Sequence, residues 1–402
     1  MKKRNFVIWC SLAVVALVAT GFTVGCSKQK PPATIKVGLL IDMTGPIGPG
    51  GIDLEKGARL AFEKIGMTIA GKKVELILED SASDAGVSLD KVRKLVETDK
   101  VAAVIGPINS ESSVAQYIEK AHVPELMAMN ASDDLNSHDW VFSPVGTNSQ
   151  STYRAGIYAA DVLHYKTATC LGTDVVPGHS EILGFKEGFE SRGGKVIQET
   201  YYPIDTTNMV PYLTALKKAD VFVFWGVPAN VMAILPQYKE LNIKMPVIQP
   251  ENGAVTGSPG LTEHLGKSAI GVVFGTDYLY TEDTPGNKEF VQDFQAKYHQ
   301  LPGVMSGTGY ADSQVLIAAL QADGGDTTPD VLYKALKNVS VDTIRGHLYF
   351  PTDQGGYGLV MNFPSLMAKI GPNLEVIPIL PTPEVHVVYK DGKYTPFIPS
   401  QQ

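Results

Sequence analysis

The chain has 402 residues, a formal net charge of −8, 44% hydrophobic residues and 19% charged residues. This length is typical of two or three domains, and the apolar fraction is high enough to form a sizeable core. The negative charge argues against a nucleic acid partner, because phosphate binding requires a basic surface. Beyond the first 25 residues, no stretch is long and apolar enough to span a membrane.

Residues 1–25 have the pattern of a secretory signal peptide. A basic start at residues 2–4 is followed by an apolar run over 6–19 and by small residues before Cys26. A single transmembrane helix is the alternative, but the apolar run is short for one. Gly25-Cys26 resembles the end of a bacterial lipobox, which implies lipid on Cys26. We therefore expect an exported, lipid-anchored chain with a polar tether over 26–33.

One cysteine, Cys170, remains after the leader and Cys26 are set aside. A single thiol cannot form an internal disulfide or a cysteine metal cluster. It could be a catalytic nucleophile, but it lies in an apolar run over 167–171 that is typical of a buried strand. Buried cysteines usually behave as small, inert hydrophobic residues.

The first part of the mature chain alternates apolar runs typical of buried strands with segments of helical spacing. The predicted strands are 35–41, 74–78, 102–105 and 125–129. The predicted helices are 52–65, 89–96 and 110–120. Repeated strand-helix units with nearly continuous apolar strands indicate a parallel sheet that is covered on both faces.

The same pattern restarts after Ser149. The predicted strands are 168–171, 196–202, 221–225, 247–248 and 271–274. The predicted helices are 152–163, 180–191, 210–218 and 229–241. The sequence therefore predicts an α/β protein with two doubly wound parallel-sheet units of similar size.

Three further helices, over 287–299, 306–322 and 329–337, follow without intervening strands. Helices alone do not readily form a third domain, so we expect them to pack on an existing sheet. Residues 385–397 read as a hairpin, because Asp391-Gly392 favours a type I′ turn.

Ligands of open parallel sheets bind just past the carboxyl ends of the strands. The glycine-rich segment 42–51 lacks the Lys-Ser or Lys-Thr of a phosphate loop and is interpreted as a tight turn. Ser110 begins a helix, whose free N–H groups suit a carboxylate. Ordinary helix capping by Ser110 is the alternative, and both roles can hold.

Four more polar or aromatic residues follow predicted strands. Asn130 and Ser132 come after the strand over 125–129. Trp225 ends another strand and is either a stacking wall or a core residue. Glu251 could pair with a ligand ammonium, or could be an ordinary solvated loop carboxylate.

Catalytic and metal-binding patterns are missing from the sequence. It has no His-Glu-x-x-His, no Gly-x-Ser-x-Gly and no close cluster of His, Asp and Glu. His179 and Ser180 are adjacent, but neighbours at a helix start do not face each other. We expect no enzyme activity, no metal and no cofactor. A hydrolase using Cys170 or the His179-Ser180 pair stays open as the enzymatic alternative.

An ordered series of segments resembles the branched-chain amino-acid-binding (Leu/Ile/Val-binding) family of ABC-transporter substrate-binding proteins. The series is IKVGLLIDMTGP, GARLAF, KVELILEDSASD, VAAVIGPINSESS, GFKEGFESRGGKV, VFVFWG and LKNVSVDTIRG. It extends over most of residues 34–355, and the order and spacing of the segments carry the resemblance.

The resemblance implies a type I periplasmic-binding fold, in which two lobes joined by three crossings close around a ligand. Lobe 1 would comprise 34–148 and 276–345, and lobe 2 would begin with 149–275. Residues 346–402 would return to lobe 2 and form a C-terminal tail. Closure of the lobes, rather than chemistry, is then the expected mechanism.

The resemblance also implies roles for the candidate residues. The hydroxyls of Ser110 and Ser132 would hold a ligand carboxylate, while the Asn130 backbone and Glu251 would face an ammonium. Aromatic residues that the family often places near the ligand are replaced here near Pro177 and Pro228. The ligand could therefore be an amino acid, an amide, a urea-like compound or an aromatic acid.

Two functions fit this resemblance. In the first, the chain delivers a small molecule to the permease and ATPase subunits of an ABC importer. In the second, the same fold reports the ligand to a receptor or regulator. The leader, the lipid site and the lack of a fused signalling domain favour uptake.

Overall fold

The structure is a computed structural model. It describes residues 34–45, 47–108, 110–129, 138–251, 256–284, 286–350, 359–360, 366–379, 386–390 and 393–397. The leader, Cys26 and the tether over 26–33 lie outside these residues, so the predictions for them stay predictions.

The first sheet has seven strands, and its central strand is the apolar run predicted at the start of the mature chain. The strands are β1 (Ile35–Ile41), β2 (Thr68–Ile69), β3 (Lys72–Asp80), β4 (Ala103–Ile105), β5 (Glu125–Leu126), β6 (Val141–Ser143) and β14 (Leu359–Val360). Their order is β14-β6-β5-β4-β1-β3-β2, and all neighbours are parallel except β2 and β3. The helices between these strands are α1 (Gly48–Lys64), α2 (Ala85–Arg93) and α3 (Glu111–Ala121).

The second sheet repeats this design. Its strands are β7 (Thr167–Thr173), β8 (Lys195–Tyr202), β9 (Val221–Phe224), β10 (Val247–Gln249), β11 (Val273–Thr276), β15 (Leu366–Ile370) and β16 (Val376–Ile379). The order is β16-β15-β11-β10-β9-β7-β8. The strands from β7 to β11 pair in parallel, and β15 and β16 extend the sheet antiparallel. Its helices are α4 (Asn148–Asp161), α5 (Val176–Ser191), α6 (Val210–Thr214), α7 (Pro228–Glu240) and α8 (Pro259–Leu265).

The three late helices return to the first sheet, as the sequence predicts. They are α9 (Asn287–Tyr298), α10 (Val304–Ala322) and α11 (Pro329–Lys337). Phe294, Leu316 and Leu332 from these helices share one buried cluster with Leu39 of β1. The backbones of α1 and α10 touch, since a Cβ on Gly57 would lie 1.9 Å from the Ser306 carbonyl oxygen.

The sheet order contains three passages between the sheets, after β6, after β11 and after β14. The predicted two-lobed α/β fold is therefore confirmed. The predicted return to lobe 2 at residue 346 is too early. Residues 340–343 and 346–349 form the hairpin β12 (Ser340–Thr343) and β13 (Gly346–Tyr349), and β14 still pairs with β6 of the first sheet. The chain joins the second sheet only at Leu366.

Several shorter features differ from the sequence prediction. The strand predicted over 125–129 ends at Leu126. The strands β2, β6, β12, β13, β14, β15 and β16 were not predicted. The helix predicted over 210–218 ends at Thr214. The predicted C-terminal hairpin is present as β17 (His386–Lys390) and β18 (Lys393–Phe397).

Candidate functional site

The candidate site lies where the parallel strands of each sheet end. On the first sheet, the chain leaves β4 through Gly106 and Pro107 and then begins α3. Gly106 has φ +93°, and a Cβ there would lie 2.1 Å from the Leu40 carbonyl oxygen, so only glycine fits. The buried Asp42, at the end of β1, accepts a hydrogen bond of 3.0 Å from the Ile108 backbone N–H. These contacts fix the path of the loop that leads to Ser110.

Ser110 stands at the N-cap position of α3 but does not cap the helix with its side chain. Its backbone is left-handed, with φ +80°, which non-glycine residues seldom adopt. Its carbonyl oxygen accepts a hydrogen bond of 2.6 Å from Ser113 Oγ. The capping role considered for Ser110 is therefore wrong, and its hydroxyl is not committed to the helix end.

A second loop of the first sheet is held by Asp80, at the end of β3. Its Oδ1 accepts hydrogen bonds from the backbone N–H groups of Met43, Thr44 and Ala82, and its Oδ2 accepts one of 2.8 Å from Thr44 Oγ1. Burial alone would raise the pKa of Asp80, but these hydrogen bonds outweigh it and hold the pKa below its ordinary value. These bonds hold residues 43 and 44 in a loop, but Gly48–Gly51 already belong to α1, so the interpretation of the whole segment 42–51 as a tight turn is wrong for its second half.

Two of the candidate residues cannot be placed. Asn130 and Ser132 lie outside the described residues, although Met127 and Ala128, just before them, are buried after β5.

On the second sheet, Trp225 follows β9 directly. Its carbonyl oxygen accepts a hydrogen bond of 3.2 Å from the Tyr202 hydroxyl. Its ring packs against the apolar cluster that contains Cys170 and Met367, which is the core role considered for it. Its indole Nε1, however, is buried and has no hydrogen-bond partner in the part of the chain that the structure describes. Tryptophan N–H groups usually find a partner when buried, so Trp225 presents an unused donor.

Glu251 lies two residues beyond the end of β10 and is only 8% exposed. A solvated loop carboxylate is therefore the wrong interpretation of this residue. Burial, and to a smaller extent the carboxylate of Asp277, raises the pKa of Glu251 to about 8. A cation placed against it would stabilise the ionised form and reverse this shift.

Asp277 and Arg345 complete this region, and the sequence analysis missed both. Asp277 follows β11, and its Oδ2 lies 3.0 Å from Nη2 of Arg345, whose side chain is fully buried. The position of Asp277 just past a predicted strand was the available signal. Arg345 stands in a turn between two strands that the sequence analysis did not predict, so nothing marked it as buried.

The enzymatic alternatives find no support among the described residues. His179 Nε2 lies 2.8 Å from Asp174 Oδ1, and the His179 ring stacks on Tyr201. Cys170 is fully buried, and burial raises the pKa of its thiol, which disfavours the reactive thiolate. The described part of the chain contains no group of three metal-ligating side chains.

Comparisons with known proteins bear on the family and the fold of this chain. The periplasmic binding protein family matches residues 34–358. Leu/Ile/Val-binding protein homolog 7 of Brucella abortus (strain 2308) is 26% identical over 337 residues, which cover 76% of this chain and 81% of the relative.

Two solved structures have similar folds. An ABC transporter substrate-binding protein from Sphaerobacter thermophilus has a TM-score of 0.80 and 27% identity, over 87% of this chain and 97% of that chain. A solute-binding protein of an ABC transporter from Rhodopseudomonas palustris BisB5, in complex with 3,4-dihydroxybenzoic acid, has a TM-score of 0.77 and 25% identity. That alignment covers 87% of this chain and 99% of the other.

This chain belongs to the periplasmic binding protein family, and its resemblance to the Leu/Ile/Val-binding proteins is confirmed. The members to which it is similar are binding proteins rather than enzymes. Family membership implies a location outside the cytoplasm. Among the described residues, no helix has the length and apolar character needed to cross a membrane.

Proposed function

We propose that this chain is the solute-binding component of an ABC importer and that its lobes close on an amino acid or a related small carboxylate or amide. The observation that carries the proposal is Glu251. This acid is buried at the ligand-binding edge of a parallel sheet, and the charged group that acts on it is a second acid, Asp277. A buried carboxylate is costly unless it is paired, and a ligand ammonium is a suitable partner.

The carboxyl edge of the first sheet offers a group that could bind the other end of such a ligand, the hydroxyl of Ser110. Ser110 stands at the start of α3 with its hydroxyl unused for capping, at the positive end of the helix dipole. A hydroxyl at this position suits a carboxylate. We assign the ligand carboxylate to Ser110 and Ser132, its ammonium to the Asn130 backbone and Glu251, and one wall of the cleft to Trp225.

Delivery to the membrane is the second part of the proposal. Substrate-binding proteins of ABC transporters bind small molecules and interact with a permease. Lipid on Cys26 and a tether over 26–33 would hold the lobes near that permease and its ATPase. In this scheme lobe 1 comprises 34–148 with 276–345, extended by β13 and β14, and lobe 2 comprises 149–275 with β15 and β16.

A thermal-shift screen against L-leucine, L-isoleucine, L-glutamine and 3,4-dihydroxybenzoate tests the ligand class. A bound ligand stabilises the folded state by mass action, so a true ligand raises the melting temperature with concentration. Calorimetry with Glu251→Gln then tests the assigned role of Glu251. We expect the variant to weaken an amino acid by roughly 2–3 kcal/mol, the range for a lost hydrogen bond to a charged group.

Glu263→Gln is the matched control, since Glu263 is an exposed acid of α8 in the same lobe. We expect it to bind like the wild type. Equal affinity of an amino acid for wild type and Glu251→Gln would overturn the assignment of the ammonium site. Stabilisation by 3,4-dihydroxybenzoate alone would overturn the amino-acid class.

A further inference from the structure

Asp277 has a carboxylate oxygen without a partner at the carboxyl edge of the second sheet. The residue is only 6% exposed, and its Oδ1 has no hydrogen-bond partner in the part of the chain that the structure describes. Buried polar atoms are nearly always hydrogen-bonded, so an unpartnered oxygen at this edge needs an explanation. A donor on a ligand in the cleft would supply one.

The rest of Asp277 is held by Arg345. The Asp277 Oδ2 lies 3.0 Å from Nη2 of Arg345, and Arg345 Nε donates a hydrogen bond of 3.1 Å to the Asp277 carbonyl oxygen. Arg345 Nη1 also donates one of 3.3 Å to the carbonyl oxygen of Pro144, in the passage after β6. These contacts fix the orientation of the Asp277 carboxylate and engage its Oδ2, but not its Oδ1.

A glycine of β11 brings Glu251 close to Asp277. A Cβ on Gly275 would lie 2.1 Å from the Pro250 carbonyl oxygen and 3.6 Å from the Cα of Glu251, so the chain after β10 crosses directly over Gly275. Side chains two residues apart along a strand point to the same face, about 7 Å apart. Asp277 is two residues beyond Gly275, and its side chain therefore lies on the face over which Glu251 passes. The effect of the Asp277 carboxylate on the pKa of Glu251 agrees with this proximity.

A ligand ammonium has more donors than the acceptors assigned to it above. It carries three N–H groups, and the Asn130 backbone and Glu251 are proposed to take two of them. When both acids are ionised, Glu251, Asp277 and Arg345 together carry one net negative charge, which a single ammonium neutralises. Asp277 can thus accept the third N–H without adding an unpaired buried charge, because Arg345 pairs with its other oxygen.

We propose that Asp277 is a further ligand-binding residue, whose Oδ1 accepts the third N–H of a primary ammonium, and that Arg345 is the positioning residue that holds it there. The inference rests on the proposed function, because it requires an amino acid in the cleft. It makes the site selective for primary amines. A secondary ammonium has one donor fewer and leaves the buried Oδ1 without a partner, which is costly.

Isothermal titration calorimetry at pH 7 with L-leucine, L-isoleucine and L-glutamine, each beside its N-methyl form, tests the assignment. An amino acid that binds the wild type should bind at least about tenfold more tightly than its N-methyl form, since a hydrogen bond to a charged group is lost. This comparison needs no variant, so it stands even if substitutions at Asp277 prevent folding. Equal affinity of the two forms would overturn the assignment.

Asp277→Asn separates a contact with the ammonium from a purely structural role. The variant should weaken the amino acid about tenfold or more, because the third donor loses a charged acceptor. It should also reduce the preference over the N-methyl form by about fivefold, since the lost contact is the one that N-methylation removes. A structural role would weaken both forms equally and leave the preference unchanged, and that result would overturn the proposal.

Asp220→Asn is the matched control. The Asp220 Oδ2 accepts hydrogen bonds of 2.9 Å from the Lys166 and Thr167 backbone N–H groups, just before β9 and at the opposite end of the same sheet. This variant should lose stability but keep both the affinity and the preference of the wild type. A wild type that binds none of the three amino acids would overturn the inference together with the amino-acid class. Binding by wild type with an unchanged preference in Asp277→Asn would overturn the inference alone.

Discussion

At the carboxyl edge of the first sheet, Asp42 and Asp80 accept backbone hydrogen bonds, whereas at the same edge of the second sheet Glu251 is buried beside another acid. The pKa of Asp80 is lowered and that of Glu251 is raised, although both follow parallel strands. The difference lies in the donors, since Asp80 receives three backbone N–H groups and a hydroxyl. The first edge is completed by the protein's own donors, whereas at the second we propose that a ligand cation pairs with Glu251.

The largest expected loss of stability comes from a substitution at the carboxyl edge of the first sheet. Gly106→Ala forces a Cβ to within 2.1 Å of a backbone oxygen at a φ of +93°. We expect it to lower the free energy of unfolding by about 3 kcal/mol or more, since strain and overpacking add. Urea denaturation measures this. Gly71→Ala is the control, because Gly71 also has positive φ but no atom within 4 Å of its Cβ position, and it should cost only about 1–2 kcal/mol.

Asp80→Ala tests the hydrogen bonds of the same edge. We expect a loss of roughly 2–3 kcal/mol at pH 7, because donors to a charged group lose their acceptor. The pKa of Asp80 is lowered on folding, so its contribution is present above the ordinary value of 3.8 and is lost as the pH falls through the folded value. The difference between wild type and variant should therefore shrink in acid. Asp90→Ala, at an exposed acid, should change little, and an equal loss there would contradict the argument.

Glu251→Gln should raise the free energy of unfolding at high pH, whereas Asp80→Ala lowers it. Between 4.5 and about 8, the folded protein keeps a proton on Glu251 that the unfolded chain has released. Stability then falls as the pH rises, by at most about 1.4 kcal/mol per pH unit for one group. Glutamine has no proton to lose, so the ligand-free variant should be more stable than wild type at pH 8, by about 1–3 kcal/mol after allowance for imperfect burial.

Thermal unfolding of wild type and Glu251→Gln at pH 5 and pH 8 checks this sign. Burial also raises the pKa values of Glu125 and Asp312, so these residues make stability fall with rising pH as Glu251 does. The variant should therefore reduce the pH dependence of stability without removing it. A variant that is less stable than wild type at both pH values would show that Glu251 has a protein partner. The second edge would then resemble the first.

The sequence predicts the fold well because its signals are local and repeated. Apolar strands such as 35–41 and 221–225 are buried in any parallel sheet, and the late helices had an existing sheet to cover. Strand β6 and the hairpin of β12 and β13 were missed because residues 141–143, 340–343 and 346–349 are short and depend on neighbours that are distant in the chain. The extension of the first sheet by β14 is a long-range pairing of the same kind.

The sequence predicted where the candidate site residues lie along the chain, but not how buried they are or what they contact. Ser110, Trp225 and Glu251 were identified because they follow predicted strands. The burial of Glu251 and of the Trp225 indole N–H depends on tertiary packing, which a local pattern does not show. Arg345 could not be recognised, because the Pro144 carbonyl that accepts its hydrogen bond and the Asp277 carboxylate that pairs with it are far away in sequence. Electrostatic pairing across the lobes has no local pattern.

The smallest expected effect separates a capping residue from one that only occupies a capping position. Asp84 caps α2, because its side chain accepts hydrogen bonds from the Gly86 and Val87 backbone N–H groups, whereas Ser110 makes no such bond at α3. Asp84→Ala should therefore cost about 1 kcal/mol of unfolding free energy. Ser110→Ala should change it by less than about 0.5 kcal/mol, the usual range for a substitution that breaks no contact.

For ligand affinity we expect the reverse, with a larger effect of Ser110→Ala than of Asp84→Ala. If Ser110 holds a carboxylate, Ser110→Ala should weaken the ligand by roughly 1–3 kcal/mol, while Asp84→Ala leaves the affinity unchanged. Ser112→Ala controls for the change of hydroxyl content, because Ser112 is an exposed residue in the same helical turn. A Ser110→Ala variant that loses stability like Asp84→Ala but binds normally would make Ser110 a structural residue. The loop after β4 would then make no contact with the ligand, and the contacts would have to come from the second lobe and from the loop after β5.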